Sequence, residues 1–215
     1  MAAIATFVFN PFQENTYVLY DNSGQCVVID PGCYAQTEAE KLLGFIEEKG
    51  LKPMRLLNTH CHIDHILGNG LIKQEYDLLP EIHEKEVPVL EQAPASGEFF
   101  GVKMRWESPQ HHPNFLKEDH TITFGEGVQL KVLFTPGHTP GEVCFYDEAG
   151  GYLIGGDVLF YGSIGRTDLP GGDHDTLIKS IKEKLLPLPD ETVVYSGHGP
   201  ETTIGHERRH NPFLR

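Results

Sequence analysis

The chain of 215 residues contains no apolar run near the roughly 18–20 residues that a membrane-spanning helix requires. Its first ten residues are apolar but lack the basic segment and cleavage pattern of a signal peptide, so they predict a first strand. Only four cysteines are present, and their spacing matches no disulfide framework, which indicates reduced thiols. These absences argue against a membrane or secreted protein and predict a cytoplasmic one.

Positive charge is also scarce, since 17 Lys and Arg residues stand against 31 Asp and Glu residues, a formal net charge of −14. Such an acidic surface repels phosphate backbones, so we expect no nucleic-acid partner. The apolar fraction of 39% is typical of a globular protein and argues against disorder. Because no linker or repeat interrupts a chain of this length, we expect a single domain over residues 1–215.

Turn residues and hydrophobic spacing divide the chain into strands and helices. Three antiparallel strands are predicted first, and a second set of strands, including a hairpin over residues 142–154, follows in the second half. Residues 83–118 predict one short helix and then a long loop that can cover a site. This order favours two sheets flanked by helices. The predicted helices lie at residues 37–49, 64–75, 84–92, 175–186 and 204–213.

Twelve histidines are many for this length, and three of them lie in one hexapeptide, His60-Cys61-His62-Ile63-Asp64-His65, directly after an apolar strand. Residues i and i+2 of an extended segment point to the same side, so His60 and His62 are expected to bind one metal ion. Asp64 and His65 follow where the chain turns into a helix, and they are expected to face a second ion. We expect Cys61 to be a buried thiol, with a ligand or redox role as the alternative.

Three further candidate ligands, His138, Asp157 and His198, each lie at the end of a predicted strand, next to glycines. Imidazoles and carboxylates suit Zn²⁺, and a catalytic ion keeps one position open for water. We therefore expect two divalent ions, zinc first, with iron or manganese as alternatives because loading follows metal supply. The predicted metal ligands are His60, His62, Asp64, His65, His138, Asp157 and His198.

Together with the hexapeptide, the segments Thr135–Gly141, Gly155–Asp157 and Gly197–Pro200 resemble, in this order, the motifs of the metallo-β-lactamase superfamily. Within it the chain is similar to the short bacterial glyoxalase II-like (hydroxyacylglutathione hydrolase-like) branch, over nearly its whole length. The resemblance implies an α/β fold, the αβ/βα four-layer sandwich of two mixed sheets flanked by helices. It also implies a first ion on His60, His62 and His138, a second on Asp64, His65 and His198, and Asp157 as the bridging ligand.

The same resemblance implies a metal-dependent hydrolase of small thioesters of the S-lactoylglutathione type. A hydroxide held between the two ions would attack the thioester carbonyl, and Asp64 would hydrogen-bond this nucleophile and take its proton. A thiolate leaves without a dedicated acid, which fits a sequence with no Ser–His–Asp set. Only 17 residues follow His198, so the C-terminal helical extension with which glyoxalase II binds glutathione is expected to be absent.

Residues around the ligands complete the predicted site. Asp30, Thr59 and Ser196 are candidates to orient the ligand imidazoles, with capping of strand ends as the alternative. Arg166 either binds a substrate carboxylate or pairs with Asp168. Tyr161 is a weaker candidate for contact with the substrate.

Three other functions compete with thioester hydrolysis. The loop Gly165–Asp168 also resembles one in persulfide dioxygenases, and His60, His138 and Asp157 provide the two-histidine, one-carboxylate triad of a mononuclear Fe(II) site. A nuclease of this fold is disfavoured by the net charge of −14. A non-catalytic metal-stabilised module is disfavoured because structural zinc sites are closed, whereas seven ligands for two ions leave open positions.

Overall fold

The computed structural model describes residues 2–215, so Met1, which belongs to the segment predicted as a first strand, lies outside the described residues. Contacts divide the chain into two compact units. The first unit runs to Phe115 and includes Thr123–Val128, and the second comprises Leu116–Ile122 and Gln129–Arg215. The single domain over residues 1–215 stays a prediction, as does the absence of a C-terminal glutathione-binding extension.

The first unit is built on a five-stranded mixed sheet in the order β1-β2-β3-β4-β5. The first three strands form the predicted antiparallel meander, which is confirmed, and the other two pair in parallel. A parallel neighbour requires a crossover, which α1 (Gln36–Glu48) supplies between β3 and β4. The strands are β1 (Ala3–Phe9), β2 (Glu14–Tyr20), β3 (Gln25–Ile29), β4 (Lys52–Leu57) and β5 (Pro80–Glu81).

The helix predicted over residues 64–75 is instead two helices, α2 (Ile63–Ile66) and α3 (Asn69–Tyr76). They separate at Gly68, whose backbone N–H donates to the carbonyl of Pro31 at 2.7 Å rather than to the preceding turn. A contact distant in sequence therefore ends α2. The break ties the short ligand-bearing helix to the loop that follows β3.

The prediction of a short helix and a long loop within residues 83–118 is wrong in its boundaries. After a 3₁₀ turn at Glu84–Glu86, α4 (Val87–Phe100) continues for 14 residues and contains Pro94. On its buried face, Leu90 and Ala93 pack in the apolar cluster that contains Cys61 and Ile63. This packing outweighs the weak helix propensity of the segment.

The second unit is built on a six-stranded mixed sheet in the order β13-β12-β9-β8-β7-β6. The predicted hairpin is confirmed as the antiparallel pair β8 and β9, whereas β12 pairs in parallel with β9. The strands are β6 (Thr121–Phe124), β7 (Val128–Phe134), β8 (Val143–Asp147), β9 (Tyr152–Gly156), β12 (Val193–Ser196) and β13 (Thr202–Thr203); β10 (Leu159–Phe160) and β11 (Ser163–Ile164) form a separate pair.

The helices of the second unit lie at the predicted positions, but their α-helical segments are shorter than predicted. Helix α5 (His174–Ser180) continues as one π-helical turn, Ile181–Leu185, and α6 (Ile204–His210) ends before the predicted boundary. The buried face of α5 and of the π-helical turn packs against strand residues in one apolar cluster. Members of this cluster include Leu153, Leu177, Ile181, Leu185 and Val194.

Within residues 2–215, no helix combines the length and the apolar character needed to cross a bilayer. The cytoplasmic location stays a prediction. The predicted absence of nucleic-acid and membrane partners also stays a prediction.

Replacing Leu177 tests the contribution of the second core. Its side chain is 0% exposed, so Leu177→Ala is expected to lower the free energy of unfolding by about 2–5 kcal/mol, through lost burial and a residual cavity. The measurement is urea unfolding followed by circular dichroism. Phe213→Ala is the control, because Phe213 is 49% exposed and its loss should change stability by less than about 0.5 kcal/mol. Equal effects of the two substitutions would contradict the assignment of Leu177 to the core.

Candidate metal centre

The carboxylate of Asp30, 1% exposed and directly after β3, accepts the hydrogen bonds that organise the first group of candidate ligands. Its Oδ1 accepts from the backbone N–H of Thr59 at 2.8 Å and from Nδ2 of Asn58 at 3.4 Å. Its Oδ2 accepts from the Thr59 hydroxyl at 2.6 Å and lies 3.1 Å from Nδ1 of His65. Asp30 has a left-handed backbone, with φ of 48°, which aspartate tolerates better than most residues.

These contacts determine which nitrogen of each imidazole carries its proton. A carboxylate only accepts, so His65 donates through Nδ1 and presents the lone pair of Nε2. The Thr59 hydroxyl donates its only proton to Asp30, so it accepts from Nδ1 of His60, 3.1 Å away. His60 therefore also presents the lone pair of Nε2. A metal-binding histidine usually donates from one ring nitrogen to such an acceptor, while the other ring nitrogen binds the ion.

The hexapeptide side chains converge at the end of β4. His60 and His65 are 0% exposed, and the ring centroid of His60 lies 4.9 Å from that of His62 and 4.1 Å from that of His65. Oδ2 of Asp64 lies 3.7 Å from Nε2 of His65. This separation is long for a hydrogen bond but close to the roughly 3.4 Å between two ligands of one tetrahedral zinc ion.

Two side chains distant in sequence hold the backbone of this loop. Asn10 donates through Nδ2 to the carbonyl oxygens of Gly32 and Asp64, both at 3.0 Å. The buried carboxylate of Glu86 accepts from the backbone N–H of Cys61 at 2.8 Å. Neither residue is a candidate from the sequence alone, because no motif pairs it with the hexapeptide.

Cys61 lies between two ligand candidates but belongs to an apolar cluster. Burial raises the pKa of its thiol well above the usual range, and the negative charges of Glu86 and Asp30 raise it further. The thiol therefore stays protonated at neutral pH, which favours the predicted buried thiol over a ligand role.

The second unit brings His138, Asp157 and His198 together. Because β9 and β12 are parallel, their carboxyl ends lie at one edge of the sheet, and Asp157 and His198 follow those ends. Oδ2 of Asp157 lies 3.5 Å from Nε2 of His138 and 3.6 Å from Nε2 of His198. One carboxylate oxygen thus stands at ligand-to-ligand distance from two imidazoles.

A hydrogen bond from its ring also fixes the orientation of His138. Its Nδ1 lies 2.7 Å from the carbonyl oxygen of Arg166. A carbonyl only accepts, so Nδ1 carries the proton and Nε2 presents its lone pair. His138 is 2% exposed, whereas the side chain of His198 is 27% exposed.

Glycines permit the close approaches around His138. Gly137 has φ of 137°, and a Cβ there would lie 2.3 Å from the backbone nitrogen of Leu177. A Cβ at Gly165 would lie 1.9 Å from the carbonyl oxygen of Asp157. A larger residue at either position would displace a segment that carries a candidate ligand.

Glu142, a buried residue that the sequence analysis did not single out, connects the two ligand segments of this unit. Its Oε1 accepts from the backbone N–H of Asp157 at 2.7 Å. Its carbonyl oxygen accepts from the backbone N–H of Thr135 at 2.9 Å, which closes the loop that contains His138. A charged residue just before the apolar strand β8 was the available signal, since a buried charge requires partners.

The remaining predicted residues contact other groups. The Ser196 hydroxyl donates to the carbonyl of Leu159 at 2.7 Å. Arg166 donates two hydrogen bonds, both 2.7 Å long, to the carboxylate of Asp168, the second of the two predicted alternatives. Tyr161 is 57% exposed and stacks on His206, with ring centroids 4.8 Å apart.

The donor chemistry of both groups fits divalent metal ions. Imidazoles that present Nε2 lone pairs stand beside carboxylate oxygens, the set that Zn²⁺ and Fe²⁺ accept. Asp30, His60 and His65 also lie close enough to share one ion. Donors already occupy both oxygens of Asp30, however, so this carboxylate orients ligands instead of binding the ion.

Removing the charge of Asp30 tests its orienting role. Asp30→Asn keeps a side chain that tolerates left-handed φ but loses the anionic acceptor for His65, so zinc affinity is expected to fall about 10–100-fold. Competition with a chromophoric chelator measures it. Asp77→Asn is the matched control, because Asp77 also has positive φ, 57°, but its side chain is 89% exposed. Unchanged affinity in Asp30→Asn would show that Asp30 does not position His65.

The pairing of Arg166 with Asp168 gives a second prediction. The hydrogen bond from Arg166 lowers the pKa of Asp168 to about 2, so the pair persists at any pH well above that value. Arg166→Gln is expected to raise this pKa toward the usual value of about 3.9. An NMR titration of the carboxyl carbons measures it. Asp173, whose pKa is lowered by a hydrogen bond with Thr176, should titrate unchanged. An unshifted Asp168 would show that the pair does not form in solution.

Comparison with known proteins agrees with the fold and identifies the family. The family model of the metallo-β-lactamase superfamily matches residues 9–198. The probable metallo-hydrolase YqgX of Bacillus subtilis is 42% identical over 206 residues, covering 95% of this chain and 93% of that protein. The hydroxyacylglutathione hydrolase GloC of Haemophilus influenzae is 39% identical over 213 residues, covering 94% of this chain and 93% of that protein.

Solved structures show the same fold. BLEG-1, a B3 metallo-β-lactamase, has a TM-score of 0.89 at 40% identity and covers 99% of both chains. TTHA1623 in a di-iron-bound form has a TM-score of 0.86 at 40% identity, covering 98% of this chain and 100% of that one. ETHE1 from Myxococcus xanthus has a TM-score of 0.76 at 25% identity, covering 98% of this chain and 83% of that one.

The predicted α/β fold, with two mixed sheets flanked by helices, is thereby confirmed. The family match spans most of the chain and contains every candidate ligand. The names of these two relatives, a probable metallo-hydrolase and a hydrolase, agree with a metal-dependent hydrolase. The chain belongs to the metallo-β-lactamase superfamily.

Proposed function

We propose that this metallo-hydrolase uses two divalent metal ions to hydrolyse small thioesters of the S-lactoylglutathione type. The observation that carries the proposal is the pairing of imidazole Nε2 atoms with carboxylate oxygens at 3.5–3.7 Å in both ligand groups. Two such groups provide more ligands than one ion requires. The thioester substrate is supported by GloC, a relative at 39% identity whose name gives it as a hydroxyacylglutathione hydrolase.

The proposed ligand assignment follows the family resemblance. Bound ions supply Lewis acidity and lower the pKa of water, so that hydroxide is available at neutral pH. Zinc is the proposed metal, and the di-iron form of TTHA1623 supports iron as the other metal to test. The first ion is assigned to His60, His62 and His138, the second to Asp64, His65 and His198, and Asp157 is assigned to both.

The residues of the chain then have separate tasks. Asp64 lies in the first turn of α2 with its side chain 14% exposed, so it can accept a proton from water that enters the site. Asp30 holds Nδ1 of His65, which leaves Nε2 deprotonated and 3.7 Å from Oδ2 of Asp64. The thiol product has a pKa of about 8.5, so the thiolate leaves without a protein acid. Arg166 is occupied by Asp168, and a substrate carboxylate would have to compete with that pair.

One experiment combines metal analysis and hydrolysis on the same sample. We expect two zinc equivalents in protein loaded with zinc, hydrolysis of S-lactoylglutathione, and loss of that activity on chelation. Asp64→Asn is expected to lower kcat about 100-fold or more, because the variant loses both the proton acceptor and a proposed ligand of the second ion. Asp175→Asn is the matched control, since Asp175 is also in the first turn of a helix, α5, and should leave kcat unchanged. Two bound ions without thioester hydrolysis would overturn the proposed substrate.

A second candidate function, a mononuclear Fe(II) persulfide dioxygenase, is favoured by two observations. ETHE1 from Myxococcus xanthus shares the fold at 25% identity, and the Gly165–Asp168 loop resembles that of persulfide dioxygenases. His60, His138 and Asp157 would then hold the iron. One iron equivalent, with uptake of oxygen on glutathione persulfide and no thioester hydrolysis, would favour this function over the first.

A further inference from the structure

Glu86 is a fully buried carboxylate, 0% exposed, that lies directly before α4. Its Oε2 accepts from the backbone N–H of Cys61 at 2.8 Å. Cys61 stands between His60 and His62, so this hydrogen bond fixes the peptide that joins two proposed ligands of the same ion. The proposed reaction itself gives Glu86 no role.

Glu142 has the same role in the second unit and is also 0% exposed. Its side chain accepts from the backbone N–H of Asp157 at 2.7 Å, and its own carbonyl closes the loop around His138. One residue thereby fixes the segments of two proposed ligands. In both units a buried glutamate accepts a hydrogen bond from the backbone N–H of a ligand segment.

Because both glutamate side chains are buried, the two hydrogen bonds that they accept are important for stability. An ionised carboxylate away from water is unfavourable unless hydrogen bonds and opposite charge compensate it. Each glutamate has the hydrogen bond from a ligand segment, and cations held by that segment would supply opposite charge. A buried glutamate therefore lies directly behind a segment of each group of proposed ligands.

We propose that Glu86 and Glu142 are positioning residues that raise the metal affinity of the two ligand groups. Each acts by holding the backbone of a ligand segment through a hydrogen bond to its side-chain carboxyl group. This inference rests on the proposed metal centre but not on the thioester substrate.

Glu207 provides a matched control within the same chain. It is a buried glutamate at 0% exposure, and it accepts from the backbone N–H of Gly162 at 3.0 Å and from Asn211. It lies in α6 and holds no proposed ligand segment. A substitution there tests the effect of losing a buried carboxylate by itself.

The test compares Glu86→Gln, Glu86→Met, Glu142→Gln and Glu142→Met with Glu207→Gln and the unchanged protein. Glutamine keeps a backbone acceptor and loses the charge, whereas methionine loses both. Zinc affinity is measured on metal-free protein by competition with a chromophoric chelator. We expect the methionine variants to bind zinc about 10–100-fold more weakly, the glutamine variants to be intermediate, and Glu207→Gln to be unchanged.

Two further readouts separate positioning from loss of fold. Thermal unfolding of the metal-free variants shows whether each is folded, and the visible absorption of cobalt-loaded protein reports ligand geometry. We expect altered cobalt bands in the Glu86 and Glu142 variants and unaltered bands in Glu207→Gln. Unchanged zinc affinity in the methionine variants would overturn the inference. If those variants do not fold, unchanged affinity in the glutamine variants would overturn it, and an unchanged protein that binds no metal would overturn the metal centre itself.

Discussion

A single buried negative charge, the carboxylate of Asp30, is the constraint on which the first ligand group depends. It accepts from the backbone and hydroxyl of Thr59 and from His65, and through the Thr59 hydroxyl it also determines the proton position on His60. Burying this charge is favourable only while these donors remain in place. The left-handed turn at Asp30, the following loop and the break between α2 and α3 at Gly68 all serve to keep them there.

The second ligand group depends on sheet geometry instead of one charge. The parallel pairing of β9 with β12 brings the residues after both strands to one edge, and the closed loop at Thr135 to Glu142 adds His138. The two groups thus reach similar donor geometry by different means. In the first group a carboxylate orients imidazoles, whereas in the second group one backbone carbonyl and the strand ends do so.

The sequence allowed prediction of much of this arrangement, since the proposed ligands lie just after a strand, in the short helix that follows it, or in a glycine-bounded loop. The hexapeptide is local, so alternation along six residues was enough to group its side chains. The roles of Glu86 and Glu142 could not be predicted, because their partners are 25 and 15 residues away and no periodicity relates them. The length of α4 and the break at Gly68 were missed for the same reason, since both depend on contacts with distant segments.

The contact between Glu142 and Asp157 has a consequence for how such a site can change over generations. The glutamate binds the peptide N–H at position 157, a group that every residue except proline possesses. The support of this position is therefore independent of the side chain that it presents. A substitution at position 157 can replace a hard ligand atom by a soft one and so change the preferred metal. The backbone hydrogen bond to Glu142 is kept. Selection can thus exchange the metal chemistry of this position by one substitution without rebuilding the scaffold that holds it.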